Sequence, residues 1–349
     1  MPKIDLLYPL YYLEATTCLS LHDKDEILPL SSLYHHPCNF ENTQIMNGFI
    51  LIDKPSGISS FQALQQLNRR FRIQDNYGRL GHGGTLDPEA SGLLVIAIGR
   101  ATKLLRYFLG SDKRYTATIQ FGARTNTDDA EGEIVATAPF DHITRDDVEQ
   151  AIARFKGKIQ QIPPGFSAIH INGKRAYKLA RKGKDIEMPP REVEIYDIRI
   201  LDCGLPQTPT LTLDIACSGG TYIRTIAHDL GIALGSEAYL SKLRRTESCH
   251  FKVQNALELG QFEQIQSLES CMHTNIEAMS AFPAIRPSKK NIIRLLRGLP
   301  VNFNISLDGI YTIITPDEQL VAVVERRNGK NDYLRLTTPE ELYPKTTES

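Results

Sequence analysis

Hydrophobic positions in residues 46–121 alternate between strand-like and helix-like spacing. Ile50–Ile52 is a short apolar run, as in a buried strand, and the turn-forming residues 53–57 close it. Ser59 or Ser60 can cap the helix that follows. The apolar residues of that helix recur at helical spacing and are Phe61, Leu64, Leu67 and Phe71. The pattern then predicts a buried strand at 93–98, a helix at 102–109 and an alternating strand at 115–121.

The middle of the chain continues this mixture of helices and strands. Thr144 and Asp147 have the spacing of a capping pair and predict a helix that carries Val148, Ile152 and Phe155. Further along, the pattern predicts a strand at 168–171, a basic helix at 174–183, and two strands of one sheet at 193–201 and 211–217. A helix at 221–234 buries Ile223, Ile226, Ala227 and Leu230. Arg224 and His228, four residues apart, then share another face of that helix.

The order of these elements defines the domains that we expect. Residues 46–255 form the main domain, residues 256–282 are polar without a strong period and predict a linker, and residues 283–349 predict a small β-rich domain. Strands and helices do not alternate strictly, which favours the α+β class. The length of 349 residues fits about two domains. No apolar run reaches the about 18–20 residues of a membrane helix, so we expect no membrane partner.

Residues 1–45 differ from the rest of the chain. They carry two lysines against six acidic residues, and they contain no apolar stretch of the kind that marks a targeting signal. We treat them as an N-terminal extension of unknown role. One hypothesis is that Met46 is the natural start, which a peptide from residues 4–24 in the native protein would contradict. The six cysteines include no CxxC pair, so we expect reduced thiols, no metal site and a cytoplasmic location.

The net charge of −1 argues against a nucleic-acid partner only as an average. Residues 68–124 hold ten basic and four acidic residues, and residues 151–192 hold ten basic and three acidic residues. Residues 125–150, with one basic and eight acidic residues, cancel much of that excess. Basic segments can follow a phosphate backbone, although a solvated helix face would look the same.

The loop Gly81-His82-Gly83-Gly84-Thr85-Leu86-Asp87-Pro88-Glu89-Ala90-Ser91-Gly92 is the most informative stretch. It matches neither a P-loop nor a dinucleotide-binding fingerprint. Its glycines allow the backbone to approach a ligand closely, and Pro88 keeps Asp87 out of the helical region. A rigid turn that presents one carboxylate suits a nucleophile or a general base.

Five motifs in register extend this signal. They are Asn47-Gly48 with Asp53–Ser60, the loop 81–92, Ser111–Tyr115, Gln161–Pro164 with Ser167-Ala168, and Ser218–Thr225. Together they resemble the TruB-type tRNA pseudouridine synthases from about Asn47 to Phe251, and more faintly through the C-terminal part. Residues 1–45 lie outside the resemblance. It implies the pseudouridine-synthase fold, with a central mixed, mostly antiparallel sheet flanked by helices. The small β-rich C-terminal domain is then either PUA-like or a β-rich cap packed on the catalytic domain.

The resemblance also implies a reaction and a partner. Members of this family convert uridine-55 in the T-loop of tRNA to pseudouridine without a cofactor or a metal. The N-glycosidic bond breaks, the base turns, and a C–C bond forms. By motif position Asp87 matches the catalytic aspartate, acting as a nucleophile at C1′ or as a base at C2′. We expect a monomer that binds the T-arm stem-loop.

Further site residues follow from the same motifs. Tyr115 matches the tyrosine that packs on the target base, Arg224 matches the arginine that pairs with the aspartate, and His82 matches the histidine that holds the flipped base. The remaining substrate-binding candidates are Tyr222, Leu243, Lys113, Arg175 and Arg181. Of these, Leu243 would be an apolar pocket wall, and Arg175 and Arg181 would meet phosphates.

Two departures and two alternatives accompany the resemblance. His170 stands where many relatives have Lys, and Cys249 stands where Gly is common. Both departures concern RNA affinity or local packing rather than the reaction. The alternatives are a guide-RNA-directed rRNA pseudouridine synthase, which shares the catalytic motifs, and an RNA-folding or RNA-binding protein of the same fold.

Overall fold

The computed structural model describes residues 46–165 and 188–343, together with the backbone of three short strands at 27–28, 170–171 and 174–175. Within this part of the chain, no helix is long and apolar enough to cross a membrane. The helices are α1 Ser60–Phe71, α2 Ile73–Tyr77, α3 Leu105–Leu109, α4 Arg145–Ala153, α5 Ile223–Ala233, α6 Asn275–Ala278, α7 Lys289–Leu296 and α8 Pro339–Leu342. Short 3₁₀ turns lie at Gly99–Leu104, Val253–Asn255, Leu259–Glu263 and Glu269–Cys271.

Nineteen strands lie in the described residues. The first ten are β1 Ile27–Leu28, β2 Gly48–Lys54, β3 Leu80–His82, β4 Ser91–Ile98, β5 Lys113–Phe121, β6 Ala123–Thr125, β7 Ile134–Thr137, β8 Gly157–Gln161, β9 His170–Ile171 and β10 Lys174–Arg175. The others are β11 Arg191–Cys203, β12 Thr210–Cys217, β13 Ala238–Ser248, β14 Phe251–Lys252, β15 Leu257–Glu258, β16 Ala284–Ile285, β17 Gly309–Ile314, β18 Leu320–Arg327 and β19 Lys330–Arg335.

A ten-stranded sheet forms the centre of the protein. Its order is β15-β2-β4-β13-β5-β12-β11-β8, with β3 beside β4 and β14 beside β13. Within the described part of this sheet, β13–β4 and β15–β2 are parallel and the other pairs are antiparallel. The predicted α+β class and the mixed, mostly antiparallel sheet are therefore confirmed.

Strands β2 and β4 are buried on both faces, which explains their continuous apolar runs. Ile50 and Ile52 pack against α1, whereas Phe49 and Leu51 pack on the opposite side. Helix α1 begins with a capping box at Ser59 and buries Ala63, Leu64 and Leu67. Its core-facing stripe leaves out Phe61, which the sequence pattern placed in the core and which is mostly exposed.

Helices α4 and α5 cover the other half of the sheet. Val148 and Ile152 of α4 and Ile226 and Leu230 of α5 join one core cluster with β5, β11 and β12. The Thr144 capping box is present as predicted. The predicted basic helix at 174–183 is wrong at its start, because residues 174–175 form β10 in a hairpin with β9. Residues 176–183 lie outside the described residues.

Residues 256–282, expected to be a linker, pack against the sheet. Strand β15 extends the sheet edge beside β2, and His273 exchanges two backbone hydrogen bonds with Phe49 at 2.8 and 2.9 Å. Phe262 and Met279 are buried in two different core clusters. The apolar residues show no regular period, because a short 3₁₀ turn carries Phe262 and Met279 follows the four-residue helix α6.

The C-terminal part is β-rich, as predicted, with a five-stranded sheet in the order β1-β16-β17-β18-β19. Helix α7 packs on one face of this sheet. On the other side, Ile314 and Val323 join the core cluster that contains Phe49 and Leu51 of β2. An ion pair between Arg100 and Glu341 of α8 adds a polar link at the rim. The two sheets therefore share one hydrophobic core.

Candidate active site

The loop between β3 and β4 presents Asp87 at one end of the central sheet. A hydroxyl at the first turn of α1 fixes the residue before it: Ser60 Oγ donates to the Leu86 carbonyl at 2.9 Å and accepts from the Leu86 amide at 2.8 Å. Leu86 itself is buried. The Asp87 carbonyl accepts a bond from the Ala90 amide at 3.1 Å, which closes the turn around Pro88. The backbone on both sides of Asp87 is therefore held by hydrogen bonds.

A buried lysine clamps the same loop from below. Lys54 ends β2, is fully buried, and donates from Nζ to the carbonyls of Pro55 at 2.8 Å, Ile58 at 2.6 Å and Pro88 at 3.0 Å. Burial lowers the pKa of Lys54 to about 8, and the carboxylates of Glu89 and Asp87 oppose this shift. The ammonium thus joins the residues after β2 to the loop that carries Asp87.

A buried arginine holds the other side of the loop. Arg245 of β13 donates from Nε to the Leu93 carbonyl at 2.7 Å and from Nη2 to the Gly84 carbonyl at 3.0 Å. Its backbone lies so close to Gly92 that a Cβ there would be 2.2 Å from the Arg245 carbonyl oxygen. Gly92 also has a φ of +101°, so glycine is required at this position.

Arg245 also sets the electrostatics of two predicted site residues. Burial raises the pKa of Tyr115, and the Arg245 guanidinium opposes that rise. Burial lowers the pKa of His82, and Arg245 lowers it further. We infer that the His82 imidazole is neutral at pH 7. Its buried Nδ1 has no hydrogen-bond partner in the described part of the structure.

Asp87 belongs to an ionic network with Arg224 and Asp129. Arg224 of α5 is 8 % exposed, and its Nη2 lies 3.3 Å from Oδ2 of Asp87. Its Nη1 lies 3.2 Å from Oδ2 of Asp129 and 3.2 Å from the Thr127 carbonyl, to which it donates a hydrogen bond. The Asp87 side chain is 45 % exposed and faces the cleft. A buried guanidinium is thus neutralised by two carboxylates, of which one remains accessible.

The cleft in front of Asp87 joins the loop to β13. Its walls include Leu243 and Leu240, both from β13. Glu131 also lines the cleft, and its pKa is raised mainly by burial and also by Asp129 and Asp87. An apolar wall beside a carboxylate that is held by an arginine can accept a flat, uncharged base next to a reacting centre.

Sequence comparison assigns the chain to a family. A sequence model of the TruB pseudouridylate synthase N-terminal domain matches residues 69–223, and a model of the tRNA pseudouridylate synthase B C-terminal domain matches residues 224–282. The tRNA pseudouridine synthase B of Francisella philomiragia is 40 % identical over 83 % of this chain and 94 % of its own length. The chain belongs to the TruB family. The enzyme of the same name from Trichormus variabilis is 46 % identical over 64 % of this chain and 74 % of its own length.

Solved structures extend the TruB family comparison to the fold. An H/ACA ribonucleoprotein bound to a substrate RNA containing 2′-deoxyuridine aligns with a TM-score of 0.64 at 21 % identity, over 93 % of this chain and 98 % of that chain. A likeness at this level of identity shows a common fold. The pseudouridine-synthase fold implied by the motifs is therefore confirmed.

The structure places the site residues carried over from the TruB motifs unevenly. Asp87, Arg224 and Leu243 meet at the cleft, and Tyr115 is 8 % exposed on β5 beside β13. Tyr222 precedes α5, where the Gln161 side chain bonds its backbone amide at 2.8 Å and its carbonyl at 3.0 Å. Arg181 and the side chain of Arg175 lie outside the described residues.

Lys113 differs from its prediction as a substrate contact. Its side chain is buried, and its ammonium donates to the carbonyls of Phe108 at 2.6 Å, Leu109 at 3.1 Å and Ser111 at 2.5 Å. Burial lowers its pKa to about 8. Lys113 therefore holds the turn that leads into β5, and it reaches this position because the strand alternation points it inward together with Tyr115.

Three residues at the site escaped the sequence reasoning: Lys54, Asp129 and Arg245. In the sequence Lys54 is one of the turn-forming residues 53–57, and its contacts with three carbonyls are visible only in the structure. Asp129 is one of eight acidic residues in the stretch 125–150. Arg244 and Arg245 have different partners. Arg244 forms a two-bond ion pair with Asp53, whereas Arg245 is buried against the loop. The alternation of β13 sends the two side chains to opposite faces.

Proposed function

We propose that this protein isomerises uridine to pseudouridine in tRNA, at position 55 of the T-loop. The observation that carries the proposal is the accessible Asp87 carboxylate, held 3.3 Å from the buried guanidinium of Arg224. Relatives named tRNA pseudouridine synthase B that share 40 % and 46 % of aligned residues support the choice of tRNA. We further propose that the protein acts as a monomer in the cytoplasm.

The proposed reaction is an isomerisation and balances without a cosubstrate. The bond from N1 of the base to C1′ breaks, a bond from C5 to C1′ forms, C5 loses a proton, and N1 gains one. The Asp87 carboxylate starts the reaction either by attacking C1′ or by taking a proton from C2′. Both roles use the carboxylate group, which the ion pair with Arg224 holds in place.

The other residues around the cleft receive the target nucleotide. A base inside an RNA stack is out of reach, so it must flip into the cleft at a cost of a few kcal/mol. Tyr115 offers a ring on which the base can pack, and Leu243 offers an apolar wall. In this proposal Tyr222 and the neutral imidazole of His82 lie at the border of the site. Arg175 and Arg181 would contact phosphates, which gives affinity rather than sequence choice.

Conversion of Asp87 to Asn tests the proposal. The amide keeps the size of the side chain but supplies neither a nucleophile nor a base, so Asp87→Asn should abolish pseudouridine formation on unmodified tRNA while RNA binding persists. Asp75→Asn, on the exposed face of α2, is the matched control and should keep wild-type activity. Pseudouridine is measured after the purified protein alone is mixed with tRNA, with a T-arm mutant as substrate control.

Three outcomes would contradict the proposal. Activity of Asp87→Asn within tenfold of wild type would remove the aspartate from the reaction. Activity of the wild type that depends on an added guide RNA would favour the guide-directed alternative. Binding and refolding of tRNA by a wild type that forms no pseudouridine would favour the RNA-folding alternative.

A further inference from the structure

A second arginine lies next to the site without an acidic partner. Arg191 is the first residue of β11, and its guanidinium carbon lies 4.7 Å from the ring centroid of Tyr222. Its Nε and Nη2 atoms are buried, and neither has a hydrogen-bond partner in the described part of the chain. Tyr222 is the N-cap residue of α5, and Arg224 is the second residue of that helix. Arg191 therefore borders the segment that positions the catalytic arginine.

The surroundings of Arg191 form a fixed pocket rather than a loose surface. Ser218 exchanges two bonds with Glu194 of β11, from its amide at 2.8 Å and to its Oγ at 2.9 Å. Gly220 has a φ of +86°, and a Cβ at this residue would lie 3.0 Å from Nη2 of Arg191. The absence of a side chain at Gly220 thus provides the space in which the guanidinium lies.

No carboxylate in the described residues forms an ion pair with Arg191, in contrast to two other arginines. Arg224 pairs with two aspartates, and Arg114 of β5 pairs with Asp214 at 2.8 Å. Burial lowers the pKa of Arg191, and the Tyr222 side chain opposes the shift. A partly buried guanidinium without an anion is costly to maintain. Because Arg191 is only partly buried, a phosphate at the accessible part of its side chain would supply the missing anion.

We propose that Arg191 binds a phosphodiester of the substrate RNA beside the target nucleotide. The proposal rests on the proposed function, since it assigns an RNA phosphate to this arginine. Arg191 also belongs to the basic stretch 151–192, which holds ten basic and three acidic residues. In the complex, the bound phosphate would hold Tyr222 and the start of α5 against the RNA.

The test compares Arg191→Gln and Arg191→Lys with a matched control. Arg199→Gln lies on the same strand, is 61 % exposed and pairs with Asp197. The dissociation constant of a T-arm stem-loop is measured at several KCl concentrations in the full-length Asp87→Asn background, so that the RNA is not converted. Arg191→Gln should weaken binding about 10- to 100-fold. It should also reduce the slope of log Kd against log salt by about 0.7–0.9.

Arg191→Lys keeps the charge and should retain most of the salt slope, and Arg199→Gln should leave both quantities at wild-type values. With Asp87 present, Arg191→Gln should raise KM and leave the single-turnover rate at saturating RNA within about threefold. The Tm of Arg191→Gln without RNA should not fall, because the substitution removes an unpaired charge.

Two results would overturn the proposal. An unchanged Kd and salt slope in Arg191→Gln would exclude a phosphate contact. A fall in Tm of several degrees with an unchanged slope would assign Arg191 a packing role against Tyr222. Both results count against the proposal only if the wild type converts the same RNA to pseudouridine. A wild type that forms no pseudouridine would instead contradict the proposed function itself.

Discussion

Asp129 offers a sharp test of the ionic network at the site. Its Oδ1 accepts bonds from the Thr127 hydroxyl at 2.6 Å and the Glu131 amide at 3.1 Å, while its Oδ2 lies 3.2 Å from Nη1 of Arg224. In Asp129→Asn, the amide oxygen can keep the first two bonds. The amide nitrogen then faces the guanidinium with a donor in place of an acceptor. The substitution therefore removes one charge-assisted bond and leaves the local turn in place.

The size of the effect follows from the loss of that bond. A hydrogen bond to a charged group contributes about 1.5–3 kcal/mol, and 1.4 kcal/mol corresponds to a factor of ten. Arg224 is 8 % exposed, so water cannot readily replace the lost acceptor. If the misplaced guanidinium costs that energy in the transition state, Asp129→Asn should lower the single-turnover rate about 10- to 150-fold. RNA affinity should stay within about threefold, because the Asp129 side chain is only 15 % exposed.

The assay is single-turnover pseudouridine formation on unmodified T-arm RNA, with Kd and Tm measured on the same samples. Asp128→Asn is the matched control, because the neighbouring carboxylate lies 3.4 Å from Nδ1 of His228 instead. It should keep the wild-type rate within about threefold. A rate for Asp129→Asn within threefold of wild type would refute the reasoning. An equal loss in both variants would attribute the effect to the loop as a whole.

Two further predictions concern the scaffold of the loop. The pKa of Lys54 is about 8 when folded and about 10.5 when unfolded, so the unfolded chain binds more protons between these values. Denaturant titrations give the free energy of unfolding of the wild type and of Lys54→Met. The difference, wild type minus variant, should therefore rise from pH 8 to pH 10.5. A fall over this range would contradict the burial of the ammonium. Gly92→Ala places a Cβ 2.2 Å from the Arg245 carbonyl at a φ of +101°, and should cost at least about 3 kcal/mol. Calorimetry should show a Tm lowered by roughly 6 °C or more, and a Tm within 2 °C of wild type would show that the two strands separate easily.

The sequence was most informative where local chemistry decides structure. The glycines and Pro88 of the loop predicted a rigid turn around Asp87, and the hydrogen bonds to Leu86 and Pro88 agree with that interpretation. The helical spacing of Arg224 and His228 placed both on one face, and both now contact neighbouring residues of the loop 125–132. Motif order was sufficient for the family, since it requires no knowledge of three-dimensional contacts.

Contacts between side chains that are far apart along the chain could not be predicted from the sequence. Lys113 and Tyr115 point to the same face of β5. Only the position of residues 108–111 decides that the Lys113 ammonium donates its hydrogen bonds to backbone carbonyls. The contact of Asp129 with Arg224 joins residues 95 positions apart and depends on how the loop 125–132 folds over β13. Cys249 has a φ of +57°, so the turn after β13 places a non-glycine residue in the left-handed region.

Because the two sheets share a core, we expect them to unfold together. Phe49 and Leu51 of β2 pack with Ile314 and Val323 of the C-terminal sheet, and the segment 256–282 fills the space between them. A chain ended at residue 255 or 282 would expose the apolar underside of the strand that carries Lys54. The smallest active fragment must then include the C-terminal sheet. Heating should melt both sheets in one calorimetric transition whose enthalpy reflects their combined size.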